Sequence, residues 1–348
     1  MIKASRVCVR LAFLKRGNIL DKKERILWLD VLKGIGIISV VIGHIYRNDT
    51  VLNLIYSFHM PLFFFAGGWV YRKKKIKDDL AGRVKKIVIP YFIFGAIILI
   101  YWYFIERSFR SISQTLNEAA LGLVLGEYKL LDFHSHLWFL PCFFVLAIFY
   151  NILVNIGGNK TAYIVSAVMA VIYIFVPLPV LPWGIDRVFQ YIGYYAVGHL
   201  LSEIDADKFT ARGHISFKLT GAIILMGGNF ALAYFDLNVG VMWFVTAFAG
   251  IAGLSVISML LERVKVLQYI GRISLVILCI HGPIYRVLCK LISIPLGRST
   301  EEVRSSVILT LAVVVVTIAL CALVYEILNR IAPWIIGEKK NKEKITAN

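Results

Sequence analysis

The sequence predicts an all-α, polytopic integral membrane protein with about ten transmembrane helices. Its 348 residues are 59% hydrophobic and only 17% charged, whereas soluble domains are nearer half apolar and a quarter charged. Apolar runs of about 20 residues, the length of a membrane-spanning helix, recur along the whole chain. They leave no long polar segment for a separate soluble catalytic domain, so any chemistry is expected at the membrane.

The apolar segments together define one transmembrane domain over residues 26–331. A basic segment precedes this domain at 1–25, and a basic tail follows it at 332–348. The approximate limits of the predicted spans are 26–46, 51–71, 87–105, 137–155, 161–177, 186–202, 217–235, 239–261, 268–290 and 306–331.

The distribution of basic residues predicts the orientation. With the N-terminus inside, the cytoplasmic segments carry 28 Lys and Arg residues and the outer segments carry 9, while Lys33 lies within the first span. This asymmetry favours cytoplasmic N- and C-termini. The net charge of +17 does not indicate nucleic-acid binding, because the basic residues lie in short loops between apolar helices. Contact with anionic membrane lipids explains it better, and a polyanionic ligand could use a subset of these charges.

Three ionisable side chains interrupt the first apolar run: Asp30, Lys33 and His44. At ~100° and ~1.5 Å per residue, Lys33 and His44 lie within ~20° of one another around a helix and ~16 Å apart along it. Asp30, three residues before Lys33, shares roughly the same face. One stripe of one helix therefore carries a carboxylate, an ammonium and an imidazole.

The second span contains another imidazole, His59, two residues before Pro61. The basic loop that follows ends with Arg83 and Lys86, which are three residues apart and are expected on one helical face. Two interpretations of this loop stay open. It could serve topology alone, or Arg83 and Lys86 could bind phosphate groups.

An outer loop of about 30 residues, 106–136, is long enough to shape a site. Its His134 and His136 could bind a metal beside Asp132, but no third ligand lies at a diagnostic spacing. No metal site is therefore predicted. His136 and Trp138 could instead hold a polar acceptor, although Trp138 alone is equally typical of an interfacial anchor.

His281 is a further imidazole in an apolar run, within the ninth predicted span. Such a histidine can simply bond to a neighbouring carbonyl, but ionisable groups inside a membrane are functional candidates by default. The five cysteines form no Cys-x-x-Cys pattern. They are interpreted as small buried residues rather than disulfides or metal ligands.

These motifs together resemble the acyltransferase-3 family of bacterial membrane acyltransferases, and most closely its fucose 4-O-acetylase-like members. The family motif in the first span is an Arg or Lys that is followed, after ten intervening residues, by a His. In this sequence these residues are Lys33 and His44. The sequence departs from the family's usual pattern in two places. Lys33 stands where Arg is commoner, and Arg83-x-x-Lys86 stands where members often have Arg-x-x-Arg. The other matching blocks are 58–68, 83–90, 136–140 and 270–274 with His281.

The resemblance implies a multi-pass enzyme of the bacterial inner membrane. It would transfer an acyl group, expected to be acetyl, from cytoplasmic acyl-CoA to a hydroxyl of a cell-envelope or exported glycan or glycolipid. His44 is the expected general base, or the carrier of an acyl-imidazole intermediate. Asp30 would pair with Lys33. No permanently bound cofactor is expected, because acetyl-CoA is a substrate.

The other candidate site residues are expected to bind either the acyl-CoA donor or the acceptor. The CoA phosphates would meet Lys33, Arg83 and Lys86, while the acceptor would lie among His59, His136, Trp138 and His281.

Two alternatives remain. Ten spans with buried charges also suit a transporter or flippase for a glycan or lipid intermediate, although no half of the chain repeats the other. The acceptor could also be a small molecule or a protein, with the acyl-CoA chemistry retained.

Overall fold

A computed structural model describes residues 25–110, 113–204, 215–237 and 239–338 of the chain. Within these ranges the chain forms helices and turns and no β-strand, which confirms the predicted all-α class. Almost all of the predicted basic segment 1–25, and the tail beyond residue 338, lie outside the described residues.

The main helices are numbered here in chain order. They are α1 Leu27–Ile45, α2 Asp49–Trp69, α3 Ile76–Arg83, α4 Ile89–Phe104, α5 Leu116–Leu125, α6 Phe139–Phe175, α7 Ile185–Glu203, α8 Ile215–Tyr234, α9 Gly240–Leu260, α10 Lys265–Arg272, α11 Ser274–Leu296, α12 Thr300–Ser305 and α13 Val307–Ile331. A π-helical turn at Val84–Val88 joins α3 to α4, and a 3-10 helix at Asp132–Trp138 leads into α6.

Seven helical segments of the described chain are long and apolar enough to cross a membrane. One of them contains α6, which changes direction at Gly158 (φ 74°, ψ −177°) and so covers two of the predicted spans. The helix α7 is long enough but too polar to count among the seven. The protein is therefore a multi-pass membrane protein, while ten spans and cytoplasmic termini stay predictions.

Helix α1 lies at the centre of the fold, in contact with α2, α9, α10, α11 and α13. Its closest crossing is with α10 and depends on two glycines. A Cβ at Gly34 would overlap the carbonyl oxygen of Leu267, and a Cβ at Gly271 would overlap that of Asp30. Small residues allow this approach of two backbones, which holds the first half of α1 against α10.

A second close crossing joins α2 to α7. A Cβ at Gly68 would overlap the carbonyl oxygen of Tyr195, and a Cβ at Gly198 would overlap that of Phe65. The two crossings fix α1 and α2 as a scaffold from which the histidines of both helices project.

The cysteine prediction is confirmed for the described residues. Four cysteines are buried and carry free thiols: Cys142, Cys279, Cys289 and Cys321. The fifth, Cys8, lies outside the described ranges.

Candidate active site

Three histidines from distant parts of the sequence meet in the interior. His44 lies in the last turn of α1, His136 in the 3-10 helix before α6, and His281 in α11. The ring centre of His136 is 3.9 Å from that of His44 and 4.4 Å from that of His281, and His44 lies 5.5 Å from His281. These rings are named the histidine cluster below.

The local backbone explains how His136 reaches the cluster. His134 leaves helical geometry (φ −156°, ψ 72°), and its ring Nε2 lies 2.7 Å from the carbonyl oxygen of Cys279 on α11. This contact fastens the loop to α11 two residues before His281. The two histidines of the His-x-His pair therefore differ, since His134 ties two segments together and His136 faces the cluster.

Hydrogen bonds determine which nitrogen of His281 is available. Nδ1 lies 2.8 Å from the carbonyl oxygen of Ile277, and because a carbonyl only accepts, this nitrogen carries the proton. In neutral His281, Nε2 is then a hydrogen-bond acceptor, and it is buried without a partner among the described residues. His136 is buried with neither ring nitrogen hydrogen-bonded within the described chain.

Residues outside the sequence motifs hold the end of α1 that carries His44. Arg304 donates from Nη2 to the carbonyl oxygen of His44 (2.8 Å) and from Nε to that of Ile45 (3.0 Å). The Tyr56 hydroxyl donates to the carbonyl oxygen of Gly43 (2.8 Å). Neither Arg304 nor Tyr56 belongs to the motifs that predicted the site.

A cavity of about 330 Å³ opens beside the histidine cluster. Four of the predicted site residues line it, namely His44, His59, His136 and Trp138, while His281 stands behind His44 and His136. The full lining is Val40, His44, Tyr56, His59, Met60, Ser135, His136, Trp138, Arg187, Tyr191 and Leu278. The arrangement joins an imidazole of α1 to a space large enough for part of a substrate.

Arg187, in the wall of this cavity, was not predicted from the sequence. The Arg187 guanidinium lies 4.1 Å from the ring centre of Tyr128 and 4.5 Å from that of Trp138, so it stacks between two aromatic faces. His59 lines the cavity with Nδ1 at 2.8 Å from the carbonyl oxygen of Ile55, which leaves its other nitrogen free to face the space. Both supply hydrogen-bonding groups to a polar ligand.

The charged residues of the first half of α1 form the predicted pair. Lys33 Nζ lies 2.8 Å from a carboxylate oxygen of Asp30, and Arg25 bonds the other oxygen. An apolar cavity of about 90 Å³, which includes Ile37 in its wall, adjoins the larger cavity through Met60 and Leu278. Lys33 is not among the residues that line these two cavities.

The structure separates Arg83 from Lys86. Arg83 Nε is bound to Asp79, 2.9 Å away, while Lys86 lines a cavity of about 530 Å³ whose wall does not include Arg83. The π-helical turn Val84–Val88 adds a residue to the helical repeat between them, so the spacing of three does not place both side chains in one cavity wall. Their roles toward CoA stay predictions.

The histidine cluster also has the donor set of a metal site. The ligand atoms of His44, His136 and His281 lie within 4.8 Å of one another, and three histidines bind zinc in known catalytic sites. The reason given above for expecting no metal was the lack of a third ligand near His136. That reason was incomplete, because the second and third imidazoles come from α1 and α11.

Comparison with known proteins identifies one family. The profile of the acyltransferase-3 family, described as an acyltransferase domain, matches residues 26–326. No curated protein and no solved structure matches the chain.

Proposed function

The chain belongs to the acyltransferase-3 family, and from this premise we propose that it transfers an acetyl group from cytoplasmic acetyl-CoA to a hydroxyl of a cell-envelope or exported glycan or glycolipid. The observation that carries the proposal is the position of His44. Its imidazole lines a 330 Å³ cavity and lies 3.9 and 5.5 Å, between ring centres, from two further histidines.

His44 acts as general base in this proposal. A thioester is already activated, so the enzyme must chiefly take a proton from the acceptor hydroxyl and stabilise the oxyanion that follows. The acceptor oxygen forms a bond to the acetyl carbonyl carbon, the carbon–sulfur bond breaks, and the CoA thiolate leaves with the proton that His44 accepted. The unprotonated Nε2 of His281 has no partner among the described residues, and in the proposed reacting complex it accepts the other N–H of His44 and so orients that ring.

His136 supplies the donor for the oxyanion. A neutral imidazole carries one N–H, and neither ring nitrogen of His136 has a partner among the described residues. That N–H is therefore free for the developing negative charge. A buried donor of this kind gains strength from the low dielectric of its surroundings.

A ping-pong route, in which His44 itself carries the acetyl group, uses the same residues. The two routes differ in one observable. Mixing the protein with labelled acetyl-CoA in the absence of acceptor leaves label on His44 only in the ping-pong route.

The donor enters from the side that carries Lys33, Arg83 and Lys86. Lys85 and Lys86 line the 530 Å³ cavity beside the carboxylates Asp78 and Glu338, and their two ammonium groups are the phosphate-binding donors that this wall offers to CoA. The apolar 90 Å³ cavity beside Ile37 supports passage of the acyl-bearing arm toward His44.

The acceptor occupies the 330 Å³ cavity on the other side of His44. Aromatic faces and hydrogen-bonding side chains line it together, which is typical of carbohydrate sites. Trp138, His136, His59 and Arg187 supply these groups, while His281 acts through His44.

The test is an incubation of the purified protein with radiolabelled acetyl-CoA and candidate glycans. Label on a sugar hydroxyl supports the proposal. Loss of acetyl groups from the surface polysaccharide of a deletion strain, measured by mass spectrometry, supports it as well. Movement of a glycan across the membrane of vesicles that contain the protein, without transfer of the acetyl label, would instead support the transporter alternative.

A further inference from the structure

A second cavity lies beside α11 on the C-terminal side of His281 and is lined by four cations and only one carboxylate. Its volume is about 220 Å³, and it shares no wall residue with the 330 Å³ cavity. It is named the cationic cavity. Its lining is Glu106, Phe109, Arg110, Tyr285, Arg286, Cys289, Lys290, Thr300 and Arg304.

The single carboxylate of this wall is already paired. Glu106, fully buried, lies 2.5 Å from Nε of Arg286 and 3.3 Å from Nη1 of Arg110. Arg304 pairs at the rim with Glu301 (3.0 Å). Lys290 has no ion-pair partner in the part of the chain that the structure describes. With Glu106 and Glu301 both counted, the four cations keep an excess of two positive charges, and an anion would lower the electrostatic energy of the wall.

The neighbouring cations affect the pKa of Arg110, which lies outside the membrane-spanning segments. Burial, and next the neighbouring Arg286 cation, lower the pKa of Arg110 below its usual range. Its guanidinium stays in place because the carbonyl oxygens of Phe133 and Asp132 accept hydrogen bonds from it (3.0 and 3.1 Å).

Topology does not explain these charges. Positive residues on the outer side oppose the bias that orients membrane proteins, yet of the nine Lys and Arg residues on the predicted outer side, four line the cationic cavity. The concentration of these outer-side positive charges in one cavity wall therefore indicates a binding site for an anion.

The surroundings indicate that the ligand carries a lipid chain. Phe109, in the cavity wall, is 47% exposed, and on α11 the apolar Leu291 and Ile294 are 59% and 66% exposed. Leu291 and Ile294 follow Lys290 of the cavity wall by one and four residues and belong to a helix that is long and apolar enough to cross a membrane. An anion in the cavity could therefore continue into an apolar chain that lies along α11.

The distance to the histidine cluster suits one substrate that spans both sites. Arg286 is five residues after His281 on α11, which is ~7.5 Å along the helix. Tyr285, which lines the cationic cavity, has its ring centre 6.3 Å from that of His281. A single sugar unit is long enough to cover this separation.

We propose that the cationic cavity binds the phosphate of a lipid-linked phosphosugar while a hydroxyl of that sugar reaches His44. This inference rests on the proposed acyl transfer and names the class of its acceptor. A phosphate that bridges a lipid and a sugar is a diester with one full negative charge, and the uncompensated cations of the wall can donate charge-assisted hydrogen bonds to its two free oxygens.

The test measures binding of radiolabelled farnesyl phosphate, a short lipid phosphate, to the full-length protein in phosphatidylcholine nanodiscs. Farnesol, the neutral analogue, is the matched ligand. Farnesyl phosphate should bind, and inorganic phosphate at millimolar concentration should displace it. Equal binding of farnesol would overturn the proposal.

Two variants change the cavity without removing a partner of buried Glu106. Lys290→Gln removes the cation that lacks an ion pair, and Thr300→Glu places a carboxylate in the first turn of α12, where a helix tolerates it. We expect Lys290→Gln to weaken farnesyl phosphate binding about fivefold and Thr300→Glu at least about tenfold, the latter equivalent to about 1.4 kcal/mol. Unchanged affinity in both folded variants would contradict the assignment.

Arg298→Gln is the matched control. Arg298 is exposed near the same end of α11 and does not line the cavity, so its loss should leave the affinity within about twofold of wild type, as expected for a screened surface charge. An equal effect of Arg298→Gln and Lys290→Gln would show that only surface charge attracts the lipid, and would overturn the proposal.

A phospholipid headgroup offers the same chemistry, and dioctanoyl phosphatidylglycerol distinguishes it. If it displaces farnesyl phosphate as well as unlabelled farnesyl phosphate does, the cavity is a headgroup site and the acceptor assignment is wrong. In transfer assays, Lys290→Gln should raise the acceptor KM and leave the acetyl-CoA KM unchanged.

Failure of this inference is distinguishable from failure of the proposed function. His44→Ala should bind farnesyl phosphate like wild type even though it transfers nothing. If Lys290→Gln and Thr300→Glu leave binding unaltered while acetyl transfer proceeds, the inference falls and the proposed function stands.

Discussion

The guanidinium of Arg304 donates a hydrogen bond to the backbone carbonyl of His44, 2.8 Å away, although 260 positions separate the two residues. The last carbonyls of a helix have no partner within it. In α1 three successive carbonyls, those of Gly43, His44 and Ile45, are bound from outside the helix by Tyr56 and Arg304. The imidazole of His44 therefore projects from a backbone that is fixed on two sides.

Arg304→Lys should lower kcat roughly 10- to 100-fold, because a small misplacement of a catalytic group has effects of this size. Lysine keeps the charge of the cationic cavity but lacks the planar fork that reaches two carbonyls. The acetyl-CoA KM should stay unchanged, which distinguishes loss of positioning from loss of donor binding. Steady-state kinetics in proteoliposomes check this, with Arg298→Lys as control. A kcat equal to wild type would remove the positioning role.

His281→Asn and His59→Asn should affect different kinetic constants. His281 accepts the N–H of His44 in the proposed mechanism, so its loss should lower kcat by about 100-fold, the lower range for general acid–base catalysis. His59 lines the cavity outside the cluster, so its loss should chiefly raise the acceptor KM. Initial rates over a range of acceptor concentrations separate the two effects. Similar kinetic profiles for both variants would contradict the distinct roles.

Lys33→Ala should damage activity more than Lys74→Ala. Lys33 lies 2.8 Å from the buried carboxylate of Asp30, whereas Lys74 lies 3.8 Å from Asp79 and is more than half exposed. Loss of a charge-assisted contact with CoA phosphate should raise the acetyl-CoA KM roughly tenfold.

Because Lys33→Ala leaves Asp30 with Arg25 alone, its effect on folding needs a control. The double variant Asp30→Asn, Lys33→Ala removes the buried charge and should restore the melting temperature without restoring the KM. Recovery of the KM in the double variant would show that Lys33 acts through folding only.

The purified protein should contain much less than one zinc per chain, and chelators should leave acetyl transfer unchanged. The physical reason is that His44 needs a free nitrogen to accept the proton of the acceptor hydroxyl. Elemental analysis of the detergent-solubilised protein measures this. Stoichiometric zinc that is lost in His136→Ala would instead make the histidine cluster a metal centre.

The part of the site that depends on helical periodicity was predictable from the sequence. A spacing of three on α1 predicted the ion pair of Asp30 with Lys33, and the structure confirms it. Small residues such as Gly34 and Gly68 likewise indicate where another helix can approach closely, and close crossings lie at both positions. Both arguments use only the regular geometry of one helix.

The rest of the site depends on contacts between distant segments, which no local pattern contains. Arg304 bonds to a backbone carbonyl, and any residue at position 44 would offer the same acceptor. The π-helical turn at Val84–Val88 shifts the register after Arg83, and nothing in that basic run marks it. Arg187 stacks on Trp138 because the first turn of α7 meets the 3-10 helix before α6, not because of their spacing in sequence.

Replacement of His44 by alanine tests the central claim most directly. The measurement is transfer of radiolabelled acetyl from acetyl-CoA to the acceptor glycan, in membranes that contain equal amounts of folded wild-type protein and His44→Ala. The account predicts that transfer by the variant falls to the level of membranes without the protein. Transfer at the wild-type rate would contradict it, since no other described residue is assigned the removal of the acceptor proton.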